Sequence, residues 1–214
     1  MKKHGFAALL LSGVMLLTAA GCGGESSEDI VTQDALPYGA TVTLKKQAGE
    51  PTVQYDARFL PDGAVDVLLA YYDSIVTEDA ARFEEIQLPM YHDYQLDTVL
   101  SGEFTDAEIL KNTNEAMKEY FGGDYAFAML DVTECIGKSD SSNAQNLLLL
   151  LDGLWEDAGK EGKFSDQVGK LEELKVTRYL TAAGSGENTE TNCVLKDETL
   201  YLMEYQDQWY VFYS

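Results

Sequence analysis

A strand that is apolar on both faces is the feature that most constrains the fold of this chain. Between Tyr125 and Ile136 the residues alternate with the two-residue period of a β-strand, which sends successive side chains to opposite faces. One face carries Tyr125, Phe127 and Met129, and the other carries Ala126, Ala128, Leu130 and Val132. Because a strand with one solvated face keeps polar residues there, this segment predicts a central strand of a sheet.

The residues after this strand predict a helix and then an antiparallel meander. Ser142 to Asp157 is predicted as a helix, and its run Leu147 to Leu151 is too short for a membrane span and indicates a buried face. Three strands are predicted to follow: Leu174 to Ala183, one long strand from Thr189 to Tyr205 that is bulged or continuous, and Trp209 to Tyr213.

The residues before the strand predict three helices. The first begins at Pro61-Asp62 and carries Val65, Leu68, Leu69, Tyr72 and Val76 on one face. Thr77 is predicted to cap a second helix over Glu78 to Ile86. Thr105 and Glu108 form a capping box that opens a third helix, which Gly122 ends. Residues 30–60 predict two short strands, whereas Met90 to Leu100 fits no single pattern.

The N-terminus has the layout of an export signal. Lys2 and Lys3 are followed by the uncharged, mostly apolar stretch Phe6 to Ala20, which is shorter than the ~20 residues of a membrane-spanning helix. The sequence then reads Ala19-Ala20-Gly21-Cys22, which resembles the lipobox of bacterial lipoproteins. This resemblance implies that residues 1–21 are removed and that Cys22 carries lipid. The alternative is an ordinary secretory signal in which the cysteine has no role.

The residues after Cys22 predict a flexible tether over residues 22–29, because glycine, serine and acidic residues cannot bury a core. With a lipid on Cys22, the domain is expected on the outer face of the bacterial cytoplasmic membrane, and the lipid anchor is its contact with that membrane.

The charge balance excludes one class of partner. The chain has 15 basic and 37 acidic residues, and removal of Lys2 and Lys3 with the signal makes the balance more acidic still. Such a chain repels nucleic acid, so no nucleic-acid partner is expected. A cationic partner or calcium is electrostatically compatible, but the acids are spread along the chain and a solvated acidic surface also explains them.

Two cysteines remain beside Cys22. The predicted strands place Cys135 and Cys193 near opposite ends of a sheet, whereas a disulfide needs Cα atoms within about 7 Å. We therefore expect free thiols, and a disulfide is the alternative in an exported protein.

No catalytic, metal or cofactor motif is present in the sequence. His92, in Tyr91-His92-Asp93-Tyr94, is the one histidine outside the signal, and it is expected to be structural rather than an acid or base. There is no nucleophile elbow, no C-x-x-C zinc spacing and no calcium loop. Candidate pocket residues were therefore sought among the aromatic side chains and His92, with core packing as the alternative role. They are Tyr72, Tyr91, His92, Phe127, Tyr179 and Trp209.

Helices, a strand, a helix and a closing meander make an α+β order. This order resembles the nuclear transport factor 2-like superfamily, whose cystatin-like cone has helices packed against a curved antiparallel sheet. Two segments carry the resemblance: Leu69 to Ala80, LAYYDSIVTEDA, and Tyr201 to Val211, YLMEYQDQWYV. The sequence looks most like Gram-positive lipoproteins that carry such a domain. The resemblance implies a domain over 61–214 after an extension over 30–60, with a conical pocket and no particular activity.

These features favour a membrane-tethered domain that binds a protein or small-molecule ligand and is not an enzyme. The alternative is a small-pocket enzyme of the same fold that uses His92 or a buried carboxylate as acid or base. A third hypothesis is an accessory lipoprotein that acts only within an envelope complex.

Overall fold

The computed structural model describes residues 41–44, 50–184 and 193–213. The signal over 1–21, Cys22 and the tether over 22–29 lie outside these residues. The described part is an α+β structure, which confirms the predicted class. Within it, no helix has both the length and the apolar character needed to cross a membrane.

Six strands form one sheet in the order β1-β2-β3-β4-β5-β6. They are β1 Thr41–Leu44, β2 Thr52–Asp56, β3 Tyr125–Gly137, β4 Val168–Ala182, β5 Cys193–Tyr205 and β6 Gln208–Tyr213. The strand with two apolar faces, β3, lies between β2 and β4, which confirms its central position. The two strands predicted within 30–60 are also part of this sheet.

The sheet is mixed, so the expected wholly antiparallel sheet is wrong at one pair. β2 and β3 run parallel, with Val53 opposite Leu130, and the other neighbouring pairs are antiparallel. The reason is the connection: residues 57–124 form a long helical crossover, and a crossover returns the chain to the sheet in its original direction.

The helices are α1 Asp62–Thr77, α2 Ala80–Glu85, α3 Pro89–Tyr94, α4 Asp106–Phe121 and α5 Ser142–Asp157. The π-helical segment Gln95–Val99 follows α3 directly, and the 3-10 turn Ser165–Gln167 precedes β4. The predicted capping box is present, with the Thr105 backbone N–H donating to Glu108 at 2.9 Å, and Gly122 ends α4 with a φ of 87°.

The predicted cap of the second helix is wrong. Thr77 is the last residue of α1, and Glu78 ends that helix in the left-handed conformation, with a φ of 55°. The cap of α2 is instead Asp79, whose carboxylate accepts a hydrogen bond from the Arg82 backbone N–H at 3.1 Å. Pro89 opens α3, in the first-turn position where its missing N–H has no cost.

Apolar residues cover both faces of the sheet. The face that we call the α1 face packs on α1 and includes Leu130, Leu174, Leu200 and Val211. The opposite face, which we call the α5 face, carries Leu171, Met203 and Phe212, and these pack with Leu151 of α5, with Phe164 and with α3. The chain passes from one face to the other around β6, where the Val211 N–H donates to the Ile86 carbonyl at 2.8 Å.

Candidate functional site

The six predicted pocket residues do not meet in one pocket. Tyr72 and Phe127 do meet on the α1 face, with ring centroids 5.0 Å apart. Trp209 is on the same face but lies against Gly63, at the beginning of α1, whereas Tyr72 lies in its third turn.

Tyr91 and Tyr179 belong to the opposite face. Tyr91 packs against Phe212 in the core of the α5 face, with ring centroids 4.8 Å apart. Tyr179 follows Arg178 in β4, and alternation therefore turns it away from the α1 face. The predicted pocket residues thus occupy separate packing positions. The prediction failed because the sequence pattern specifies neither the strand register nor the face on which each residue lies.

A charged cluster lies on the otherwise apolar α1 face. The Tyr72 hydroxyl donates to Glu198 Oε2, and Arg178 Nη1 lies 3.3 Å from the same oxygen. The Arg178 and Glu198 side chains are only 17 % and 19 % exposed. We call Tyr72, Arg178 and Glu198 the charged triad. The Arg178–Glu198 ion pair joins two neighbouring strands. Arg178 lies in β4, and Glu198 lies in β5 opposite Val176, two residues before Arg178.

Some buried polar atoms in and near the charged triad have no hydrogen-bond partner within the described ranges. In the described part of the chain, Arg178 Nε, the Tyr125 hydroxyl and Asn114 Oδ1 are buried and have no hydrogen-bond partner. The other end of the Asn114 amide donates to Glu78 Oε1 at 2.8 Å. Unsatisfied buried polar groups are rare in folded proteins because each one costs free energy, so these groups lower the stability of the fold.

The tyrosines of this region are poor acid-base groups at neutral pH. Burial raises the pKa of Tyr72 well above its usual value of 10.0, and the negative charge of Glu198 raises it further. Burial also raises the pKa of Tyr125, to about 12. Both phenols therefore stay protonated, and Tyr72 serves Glu198 as a hydrogen-bond donor.

The cysteines are free thiols, as expected, and Cys135 is a poor nucleophile. Burial raises the pKa of the Cys135 thiol, and the Glu172 carboxylate, 3.6 Å from its sulfur, raises it further. Since the thiolate is the nucleophile, this environment suppresses its reactivity. β4 separates the two cysteines: Cys135 lies opposite Leu174, and Cys193 lies opposite Leu180.

His92 forms a buried pair that the sequence did not indicate. Its Nε2 lies 2.9 Å from both carboxylate oxygens of Asp106, and the two side chains are 9 % and 11 % exposed. Asp106 is the first residue of α4, so the pair joins α3 to α4. The partner is thus a carboxylate 14 residues further along the chain rather than the adjacent Asp93. The contact between His92 and Asp106 is one that only the tertiary fold creates.

A narrow cleft and a wider depression lie on the described surface. A narrow cleft of about 70 Å³ lies beside α1 and is lined by Glu50, Leu69, Tyr72, Asp73, Val76 and Phe127. It has room for a few water molecules and is well below the ~300–1,000 Å³ of ligand pockets. Glu50 Oε2 is buried there without a hydrogen-bond partner among the described residues.

The wider depression, of about 470 Å³, lies beside β6, the last strand of the sheet. We call it the edge depression. It is lined chiefly by Glu84, Glu85, Gln87, Pro89, Gln208 and Tyr210. It falls within the size range of ligand pockets, and it contains neither His92 nor any member of the charged triad. No sequence pattern predicts this depression, because it forms where the α2–α3 junction crosses β6.

Comparisons of the chain with protein-family models, curated proteins and solved structures find no match. The chemistry of the described residues is therefore the guide to function. Those residues include no group of three or more His, Cys, Asp or Glu placed to hold a metal ion. Arg178 and Glu198 were missed from the sequence, although each interrupts the apolar side of an alternating strand, which is a detectable signal of a paired buried charge.

Proposed function

We propose that this chain is a lipid-anchored extracytoplasmic domain that binds a partner on the outer face of the bacterial cytoplasmic membrane and is not an enzyme. The observation that carries the proposal is that the wider depression is lined neither by the charged triad nor by the His92–Asp106 pair. The wider depression is at the sheet edge, whereas the charged triad and the His92–Asp106 pair lie packed among other side chains. An acid or base must come within hydrogen-bond distance of its substrate.

We further propose that the fold is a nuclear transport factor 2-like cone. Its support is the order of elements, in which α1 to α4 precede β3 and the meander β4-β5-β6 closes the chain. Register shifts in the β3–β4 and β4–β5 pairs support a curved sheet, because bulges bend strands. The apolar core fills the α1 face where that fold would carry its pocket.

The enzyme alternative has one observation in its favour. His92 is paired with a buried carboxylate, the arrangement that fixes the ring in many general bases. Against it, neither the narrow cleft nor the wider depression is lined by His92 or Asp106. A binding role therefore has the stronger support.

Affinity capture from native membranes tests the proposed function. The full tagged chain is crosslinked in cells and purified, and co-purifying proteins and small molecules are identified by mass spectrometry. The control is the same signal and tether fused to an unrelated soluble domain. We expect a partner that is enriched with the full chain and not with the control. Equal recovery from both would overturn the binding proposal.

A further inference from the structure

We propose that the edge depression binds a basic side chain, lysine or arginine, carried by an extended segment of a partner polypeptide. The inference rests on the proposed binding function and names the site and the chemistry of the partner. Its first support is charge. Glu84 and Glu85 both line the depression and both are exposed, and no basic residue lines it.

The basic residue of α2, the helix that carries both glutamates, forms its ion pair elsewhere. Arg82, in α2, forms an ion pair with Asp73 of α1 at 2.5 Å. Arg82 therefore does not form an ion pair with either glutamate of the depression. The excess of acidic over basic residues in the whole chain further attracts a cationic segment over distances of about a Debye length.

A buried acceptor in the wall of the depression is the second, independent support. Gln87 lines the depression and is 2 % exposed. Its amide Nε2 donates to the Phe83 carbonyl at 3.3 Å, whereas its Oε1 has no hydrogen-bond partner among the described residues. An unsatisfied buried oxygen destabilises the fold, and an ammonium or guanidinium donor that displaces the thin cover over it would satisfy it.

The backbone of β6 points to a polypeptide rather than a free amine. In an antiparallel pair, every second residue turns its N–H and C=O groups away from the partner strand. Val211 belongs to that outward set in β6, because its N–H donates to Ile86 rather than to β5. Trp209, two residues earlier, belongs to the same set and lies between Gln208 and Tyr210, which line the depression. Because the Val211 N–H is already bonded to Ile86, the outward groups of Trp209 are the ones to which an extended segment can hydrogen-bond while its side chain enters the depression.

A peptide titration tests this site. The detergent-solubilised full chain is titrated at low salt into the peptide Thr-Val-Lys-Val-Thr-amide, which carries an uncharged fluorophore on its N-terminus, and anisotropy is measured; the unlabelled form is N-acetylated. The comparison peptide has norleucine in place of lysine, and butylammonium is the free-amine competitor. We expect binding of the lysine peptide, at least about ten-fold weaker binding of the norleucine peptide, and weak competition by butylammonium.

Two double variants make the test specific. Glu84→Gln with Glu85→Gln removes the charge of the depression, and Glu156→Gln with Asp157→Asn removes the same charge from the exposed end of α5. Only the first is expected to weaken lysine-peptide binding by about ten-fold or more, with circular dichroism confirming that both fold.

Three outcomes would overturn the site: no binding of the lysine peptide, equal weakening by both double variants, or competition by butylammonium as strong as that by unlabelled peptide. None of these outcomes affects the membrane-capture result. A partner captured by a chain whose edge depression fails this test leaves the binding function in place and rejects the depression as its location.

Discussion

At the scale of single residues, the most unusual feature is the number of phenols inside the α1 face. Tyr71, Tyr72, Tyr125 and Tyr213 all have a pKa raised by burial, and in Tyr213 the Asp106 carboxylate adds to the effect. For Tyr125 and Tyr213 the raised pKa is about 12. Each of these residues is stable in the core only while it is protonated, so the stability of the fold is linked to alkaline pH.

The linkage predicts alkaline destabilisation in a defined window. In the unfolded chain these phenols ionise near pH 10, whereas in the folded chain Tyr125 ionises at about 12. Because the folded pKa is the higher one, the stability is fully present below pH 10 and is lost as the pH rises towards 12. Urea unfolding at pH 8, 10 and 11 is expected to show this loss, to which Tyr125 contributes on the order of 2 kcal/mol.

Matched variants isolate the contribution of Tyr125. Its hydroxyl has no partner among the described residues, so Tyr125→Phe is expected to cost little at pH 8 and to reduce the alkaline loss. Tyr120→Phe is the control, because Tyr120 is 66 % exposed. An identical pH dependence in wild type and Tyr125→Phe would contradict the assignment.

The buried pair of His92 and Asp106 predicts a structural rather than a catalytic role. Glutamine keeps an N–H donor for the carboxylate, so His92→Gln is expected to lose about 1 kcal/mol of unfolding free energy. His92→Leu leaves Asp106 buried without its partner and is expected to lose about 3 kcal/mol or more. Urea unfolding measures both losses.

Complementation of a deletion strain decides between the two roles of His92. We expect His92→Gln to be displayed on the membrane and to restore the wild-type phenotype. A general acid or base contributes about 10²–10⁴-fold in rate, so its loss would be conspicuous. A His92→Gln variant that folds normally and fails to complement would place the enzyme alternative ahead of the binding proposal.

At the scale of elements, local chemistry was the reliable guide. The capping box at Thr105 and Glu108 located the start of α4, and the helix predicted over Ser142 to Asp157 has those bounds in α5. The start of α4 and the bounds of α5 both depend on contacts between residues that are close in the sequence, so they can be predicted from the sequence. The start of α2 was missed because Thr77 and Asp79 are both good caps, and the choice depended on the left-handed turn at Glu78.

The contact between β6 and α1 gives the element-scale prediction. Trp209 packs against the core of the α1 face and keeps an intermediate exposure. A fully buried tryptophan loses about 3–5 kcal/mol on truncation, so Trp209→Ala is expected to lose about 2 kcal/mol in urea unfolding. A loss below about 0.5 kcal/mol would show that the contact does not stabilise the fold.

Gly63 provides an internal control for that contact. A Cβ atom at this position would lie 3.0 Å from Trp209 Cδ1, so Gly63→Ala is expected to destabilise the wild type. In the Trp209→Ala background the space is open, and alanine is favoured over glycine within a helix by about 1 kcal/mol. The two substitutions are therefore expected to be non-additive, and additive losses would contradict direct packing.

At the scale of the whole molecule, the α+β class followed from the order of elements, but the site did not. The charged triad joins Tyr72, Arg178 and Glu198 from α1, β4 and β5, and the edge depression joins the α2–α3 junction to β6. Such contacts depend on strand register and on which face a residue occupies. A one-residue change of register moves a side chain to the other face, so periodicity alone cannot fix them. Tyr179, predicted in the pocket, illustrates that limit.

Membrane attachment is the prediction that concerns the whole molecule. The motif Ala19-Ala20-Gly21-Cys22 predicts that Cys22 becomes the lipid-bearing N-terminus, and each methylene buried in the bilayer contributes about 0.8 kcal/mol. Cys22→Ser cannot form the thioether, so it is expected to be released from the membrane fraction or to remain unprocessed. Detergent-phase partitioning and the mass of the mature N-terminus measure this. Cys193 is a free thiol in β5. Cys193→Ser is therefore the matched control and is expected to stay in the membrane fraction. Normal processing of Cys22→Ser with unchanged detergent partitioning would reject lipidation and, with it, the proposed location of the domain.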